Sequence, residues 1–181
     1  MKIGVYGSAA GIMNDEIKVK AKEIGREIAR KGHTIITGGC PGLPHEAILG
    51  AYEYGGKCIG YSPAVDLSSH KQSNYPTEGF SELIFVPKNY KHIDNPLVCK
   101  KYRNVSSVAS IDAAVIISGR IGSMNEFTIA YDLGVNIGIL EGSGGISNRA
   151  IKVLLTDIDK ETGSKVIYEK DPIILLEKLI K

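Results

Sequence analysis

An α/β fold is what this sequence predicts: a Rossmann-like, doubly wound and mostly parallel sheet with helices on both faces, in a single domain. Three observations carry that expectation. Short apolar runs alternate with helical hydrophobic patterns along the chain. Helix-length segments between successive strand-like runs imply βαβ crossovers, and so parallel pairing. The length of 181 residues, with 43% hydrophobic and 23% charged residues, is ordinary for one globular domain.

Lys2–Gly7 (KIGVYG) reads as a buried strand. Asn14 is placed to cap a helix running to about Lys31, with Ile17, Lys20, Ile24 and Ile28 on its stripe. His33–Thr37 is the second strand, followed by Gly38-Gly39-Cys40-Pro41-Gly42 and a helix from about Leu43 to Tyr54. Lys57–Tyr61 and Glu82–Pro87 are the third and fourth strands. Between them, Ser62–Ser81 is a polar stretch with two prolines, which fits a disordered loop or a lid over a site. Asn95-Pro96 opens the next helix, Asn as cap and Pro where its missing N–H costs nothing, and the pattern continues to about Ser110. Val98, Tyr102, Val105 and Ala109 form its apolar stripe, and Arg103 lies beside it. Ala113–Ile117 (AAVII) is the most apolar strand, followed by a glycine turn and a helix from about Ser123 to Leu133. A strand at Asn136–Leu140, a helix over about Asn148–Asp157 and a strand at Lys165–Tyr168 come next. Asp171-Pro172 starts the terminal helix to Lys181.

Several function classes lose support from composition. The net charge is +2, without the basic excess of a general nucleic-acid binder, so no nucleic-acid partner is expected. No apolar run approaches the ~20 residues that span a bilayer, and no membrane partner is expected. The apolar run in Met1–Ser8 is too short for a signal-peptide core. Cys40, Cys58 and Cys99 are scattered and form no CxxC pair, which suits reduced thiols in a cytoplasmic protein. His33, His45, His70 and His92 show no metal-ligand spacing, so neither metal nor cofactor is expected. A GxSxG elbow, a P-loop and a GxGxxG fingerprint are all absent from the sequence. The second strand ends in Thr37-Gly38-Gly39, where an NAD enzyme would carry an acidic ribose ligand.

Three strands end in glycine turns: Tyr6-Gly7-Ser8-Ala9-Ala10-Gly11, Gly38-Gly39-Cys40-Pro41-Gly42-Leu43 and Ser118-Gly119-Arg120-Ile121-Gly122-Ser123. Glycine lets backbone approach a ligand closely, and N–H groups at a helix N-terminus attract anions. Together the turns point to a site for a nucleotide or other phosphorylated small molecule. Ser123-Met124-Asn125-Glu126 has two readings: a capping box, or a carboxylate one turn into a helix that faces the cleft. Arg103 also has two, a forked phosphate donor or a stem covering apolar surface. Lys88, Lys91, Lys100 and Lys101 surround its helix and would funnel an anion towards it, or form a solvated face.

In order and spacing these turns resemble the Lonely Guy (LOG) family, long labelled "possible lysine decarboxylase", and its relatives the molybdenum cofactor carrier proteins. Val5-Tyr6-Gly7-Ser8 is similar to the family's first-strand Cys-Gly-Ser turn. Gly38–Leu43 is similar to its GGxxGLM loop, with Pro44 where Met is usual, and Gly55–Pro63 to its GGxVIGxxP run. The signature PGGxGTxxE falls on Ser118–Glu126, matching strictly at Gly119, Gly122 and Glu126 and departing at Ser118, Arg120 and Ser123. Where LOG enzymes carry Arg-Lys, this chain has Arg103-Asn104, as in the carrier branch.

The resemblance implies a phosphoribohydrolase that cleaves the N-glycosidic bond of a nucleoside 5′-monophosphate to free base and ribose 5-phosphate. Arg103 and Glu126 would be catalytic. Gly7, Ser8, Gly38, Gly39, Gly42, Asn104, Gly119, Arg120, Gly122 and Ser123 would bind the nucleotide. The alternative is a carrier that keeps the anion site without turnover, with a sensor or interaction module as a third reading. A homodimer or higher homo-oligomer is expected by family habit.

Overall fold

The computed structural model describes residues 1–11, 13–157 and 160–181. The first half alternates β1 (Lys2–Gly7), α1 (Asp15–Arg30), β2 (Thr34–Thr37), α2 (Leu43–Glu53), β3 (Cys58–Tyr61), α3 (Leu67–Gln72) and β4 (Glu82–Ile84). The second half has α4 (Pro96–Val108), β5 (Ala113–Ile117), α5 (Ile121–Asp132), β6 (Asn136–Leu140), α6 (Gly145–Asn148), α7 (Ala150–Asp157), β7 (Val166–Glu169) and α8 (Pro172–Leu179). Seven strands form one sheet in the order β4-β3-β2-β1-β5-β6-β7, every neighbouring pair parallel. The expected α/β fold is the observed one.

Alternation along the strands sorts the core into two layers. Ile3, Val5, Ile35, Val115 and Ile117 face α1, α2 and α8, where Ile17, Ile24, Ile28, Ala47, Ile48 and Leu176 complete the layer. Tyr6, Ile36, Ala114 and Ile116 face the opposite way and meet Val108 of α4, Phe127 and Ala130 of α5 and Ile151 of α7. All five residues of β5 are buried, as its sequence predicts for a strand covered on both faces. Each fully buried Ile or Val contributes about 1.5–3 kcal/mol relative to exposure.

The helix caps lie where the sequence puts them. Asn14 accepts the Glu16 N–H, Asn95 those of Leu97 and Val98, and Asp171 those of Ile173 and Ile174. On α1 the buried positions are Ile17, Ala21, Ile24, Gly25, Glu27 and Ile28, while Lys20 leans out to Glu16.

Five expectations are corrected. The stretch 62–81 carries α3, opened by a capping box between Asp66 and Ser69. It is pinned by the buried His70, whose Nε2–H donates to the Pro76 carbonyl at 2.9 Å, leaving Nδ1 to accept from the Ser62 hydroxyl at 2.8 Å. β4 stops at Ile84, because the Val86 N–H leaves the ladder for the Ala64 carbonyl. α5 begins at Ile121, two residues before Ser123. The helix expected over 148–157 is two, α6 and α7, interrupted at Arg149. On α4 the sheet-facing side is Cys99, Asn104, Ser107 and Val108, while Val105 and Ala109 lie exposed. The polar residues turn inward there because each finds a hydrogen-bond partner.

Candidate functional site

The order of the sheet fixes where a ligand would sit. From β1 the chain steps outward through β2, β3 and β4, then returns to β5 on the other side of β1 and steps away through β6 and β7. The strand order therefore reverses between β1 and β5, and such sheets bind ligands beyond the carboxyl ends at that point. A cleft of about 120 Å³ opens there. Its walls are Tyr6–Ala9 at the end of β1, Gly38 and Cys40 after β2, Pro44 on α2, Arg103 on α4, and Arg120, Gly122, Ser123 and Glu126 at the start of α5.

Arg103 and Glu126 face each other across the α4–α5 seam, with Nη1 donating to Oε1 at 2.7 Å. Their side chains are 11% and 7% exposed, so the pair works in a medium where charge is poorly screened. Burial pushes the Glu126 carboxyl above its ordinary range, an effect Arg103 opposes without cancelling. Burial also opposes charge on Arg103, but the Glu126 carboxylate, by its charge and its hydrogen bond, offsets this and the guanidinium stays protonated. Its Nε–H is buried without a partner among the described residues. An unpaired buried donor is costly.

Room for the guanidinium comes from Gly38. A Cβ on that residue would stand 1.9 Å from Arg103 Nη1, so any larger side chain would displace the arginine. The glycine makes space for a protein side chain as well as for ligand. Behind the pair, Asn104 Nδ2 donates to Asn125 Oδ1 at 2.8 Å, a second bridge between the two helices. Asn104 is buried at that bridge and is not on the cleft wall.

The third glycine turn differs from the form its sequence suggests. Ser118 has φ 58°, a left-handed conformation that proline cannot adopt, so the departure from the family's proline accompanies a different turn. The Ser118 N–H donates to Ser143 Oγ and the Gly119 N–H to Ser8 Oγ, while the Gly119 carbonyl accepts from Ile146 N–H. These donors are committed inside the protein. What faces the cleft is the first turn of α5, where Gly122 and Ser123 line the wall and no side chain caps the helix. The Arg120 side chain is exposed at the rim.

Because α5 starts at Ile121, Ser123 lies inside the helix and Glu126 reaches Arg103. The capping-box reading of that stretch is overturned. Of the expected binding residues, the structure brings Gly7, Ser8, Gly38, Arg120, Gly122 and Ser123 together with Arg103 and Glu126. Gly39, Gly42 and Gly119 support the loops: Gly42 lets α2 seat its Leu43 N–H on the Ser8 carbonyl at 2.9 Å. Cys40, Tyr6, Ala9 and Pro44 complete the wall and were not singled out as binding residues, although Cys40 sits within the glycine run that was. Burial pushes the Cys40 thiol up, so it is not poised as a thiolate nucleophile. No group of three or more His, Cys, Asp and Glu side chains able to hold a metal occurs among the described residues.

Comparison with known proteins follows this geometry. The model of the SLOG cluster4 family matches residues 1–176. The chain belongs to that family. An uncharacterised protein of Archaeoglobus fulgidus is 30% identical over 142 residues, which is 78% of this chain and 80% of that one. Among solved structures, the structural-genomics target TM1055 superposes with a TM-score of 0.79 at 22% identity, covering 98% of each chain. A molybdenum cofactor carrier protein from Chlamydomonas reinhardtii gives 0.72 at 22% identity, covering 99% of this chain and 97% of that one. A molybdenum cofactor binding protein from the phototrophic bacterium Rippkaea orientalis gives 0.73 at 20% identity with the same coverage. At these identities the SLOG protein shares their fold. No helix among its described residues is long and apolar enough to cross a membrane.

Proposed function

We propose that this SLOG protein is a phosphoribohydrolase that hydrolyses a nucleoside 5′-monophosphate to free base and ribose 5-phosphate. The observation that carries the reading is the buried Arg103–Glu126 pair at the strand-order switch, on a cleft that the uncapped first turn of α5 also lines. The phosphate sits on the first turn of α5, held by its amides and by the helix dipole. Arg103 fixes the ribose or phosphate oxygen and orients Glu126. The C1′–N bond loosens with its electron pair going to the base, and positive charge develops on the ribose. Ionised Glu126 stabilises that charge and takes a proton from the attacking water as the water oxygen bonds C1′; the departing base takes a proton from solvent, and Glu126 then releases its own to solvent. Protein dipoles already aimed at developing charge contribute a few kcal/mol per group.

A second reading, a carrier that binds a phosphorylated cofactor without turnover, draws support from Ser118 and Arg120, where the turn departs from the enzyme signature. One assay separates the two. The protein is incubated with AMP, CMP and related monophosphates while ribose 5-phosphate release is followed. Release that Glu126→Gln lowers about 10²–10⁴-fold supports the enzyme. Tight binding with no release across the panel overturns it in favour of the carrier. The reading includes a homo-oligomer, in which a second copy covers the outward apolar residues Leu97, Val105 and Ile121.

A further inference from the structure

Arg103 lines two cavities. On the side away from Glu126, a second cavity of about 290 Å³ opens between α4 and the ends of β3 and β4. Tyr61, Phe85 and Tyr102 contribute three aromatic side chains to its wall, and Ser62 and Ser106 contribute hydroxyls. These groups are held in place. The Tyr102 ring lies 4.5 Å from that of Tyr90, centroid to centroid. The Ser106 hydroxyl donates to the Tyr102 carbonyl at 2.9 Å, and the Ser62 hydroxyl is directed at His70. Ser106 Oγ keeps both lone pairs for a ligand N–H, and Ser62 Oγ, which also accepts the Ala64 N–H, keeps one. The chemistry of the two cavities is complementary. The first has helix amides, a guanidinium and a carboxylate; the second has aromatic walls with sparse polar groups, as planar ring ligands require.

We infer that the β3–β4–α4 cavity is the subsite for the planar nitrogen heterocycle of the ligand whose phosphorylated sugar occupies the Arg103–Glu126 cleft. The inference rests on the proposed nucleotide reading and adds where the base is recognised. The ring lies against the aromatic wall, and the shared arginine marks the junction between sugar and base.

The test separates base from sugar phosphate. AMP and ribose 5-phosphate are each titrated calorimetrically into protein carrying Glu126→Gln to halt turnover, alone, with Tyr102→Ala, which removes an aromatic wall, or with Ser106→Leu, which fills the cavity. Thermal midpoints confirm that each variant is folded, and the second serves if the first does not fold. The expected result is AMP affinity lowered about tenfold or more, the scale of one lost stacking partner, with ribose 5-phosphate affinity unchanged. Equal losses for both ligands, or no loss for AMP, would overturn the subsite while leaving the hydrolase reading in place. Protein carrying Glu126→Gln alone that binds neither ligand would overturn both.

Discussion

Two helix pairs flank the same sheet and close by opposite means. On one face α1 and α2 meet through their backbones: a Cβ on Gly25 would stand 1.8 Å from the Ala47 carbonyl oxygen, and one on Gly50 would stand 2.0 Å from that of Lys22. On the other face α4 and α5 meet through polar side chains, Arg103 with Glu126 and Asn104 with Asn125. The first pair closes on backbone contact, with ion pairs from Lys22 and Arg26 to Glu53 only at its solvent-facing edge. The second uses charge, which a ligand or a change of pH can redirect. Stability and chemistry are thus assigned to different faces, and the cleft opens only where the polar pair reaches the carboxyl ends of the strands.

The strongest way to probe that division is Gly25→Ala. Its new methyl meets backbone that cannot move aside, and the expected loss is about 3 kcal/mol by urea denaturation. Ligand affinity of the folded fraction should stay at the wild-type level, and a pH series should leave the loss unchanged.

Arg103→Met should behave in the contrary way. It strands Glu126 in a buried site, so the loss at neutral pH is on the order of 3 kcal/mol. The folded chain holds the Glu126 proton more tightly than the unfolded chain, whose ordinary value is 4.5. Between that value and the folded one, stability falls as pH rises, and above the folded value it levels off. Removing the arginine raises the folded value further and widens the window. Denaturation of the variant from pH 4 to pH 8 should therefore show its deficit growing with pH. In the wild type, ribose 5-phosphate release should climb with pH through a midpoint above 4.5, as the carboxyl ionises.

Gly38→Ala is expected to cost least in stability, about 1 kcal/mol, because its neighbour is the end of a flexible side chain. Its effect on release should nevertheless approach that of Arg103→Met, since the guanidinium is pushed from Glu126. Release at the wild-type rate would show that the arginine's position is unimportant.

Much of this architecture is legible in the sequence because its signals are local. Asn14, Asn95 and Asp171 cap helices one residue away, and AAVII reads as a strand buried on both faces wherever it occurs. The failures are those where distant contacts decide. α3 is six residues long and is held by His70 reaching back to Ser62. The start of α5 depends on a turn pinned by Ser8 and Ser143, which Ser123 as a sequence cap does not reveal. On α4 the polar Asn104 faces inward because Asn125 on α5 satisfies it. Within the site, Arg103 and Glu126 were legible from motif spacing, whereas the steric reason for Gly38 appears only when α4 lies over the end of β2.

That bare position has a consequence for the protein's history. An arginine head occupies the volume which a methyl on residue 38 would need, so residue 38 cannot gain bulk while Arg103 keeps its place. A relative that gains bulk at 38 must shorten or redirect its residue at 103, and with it surrender the fork that meets the carboxylate.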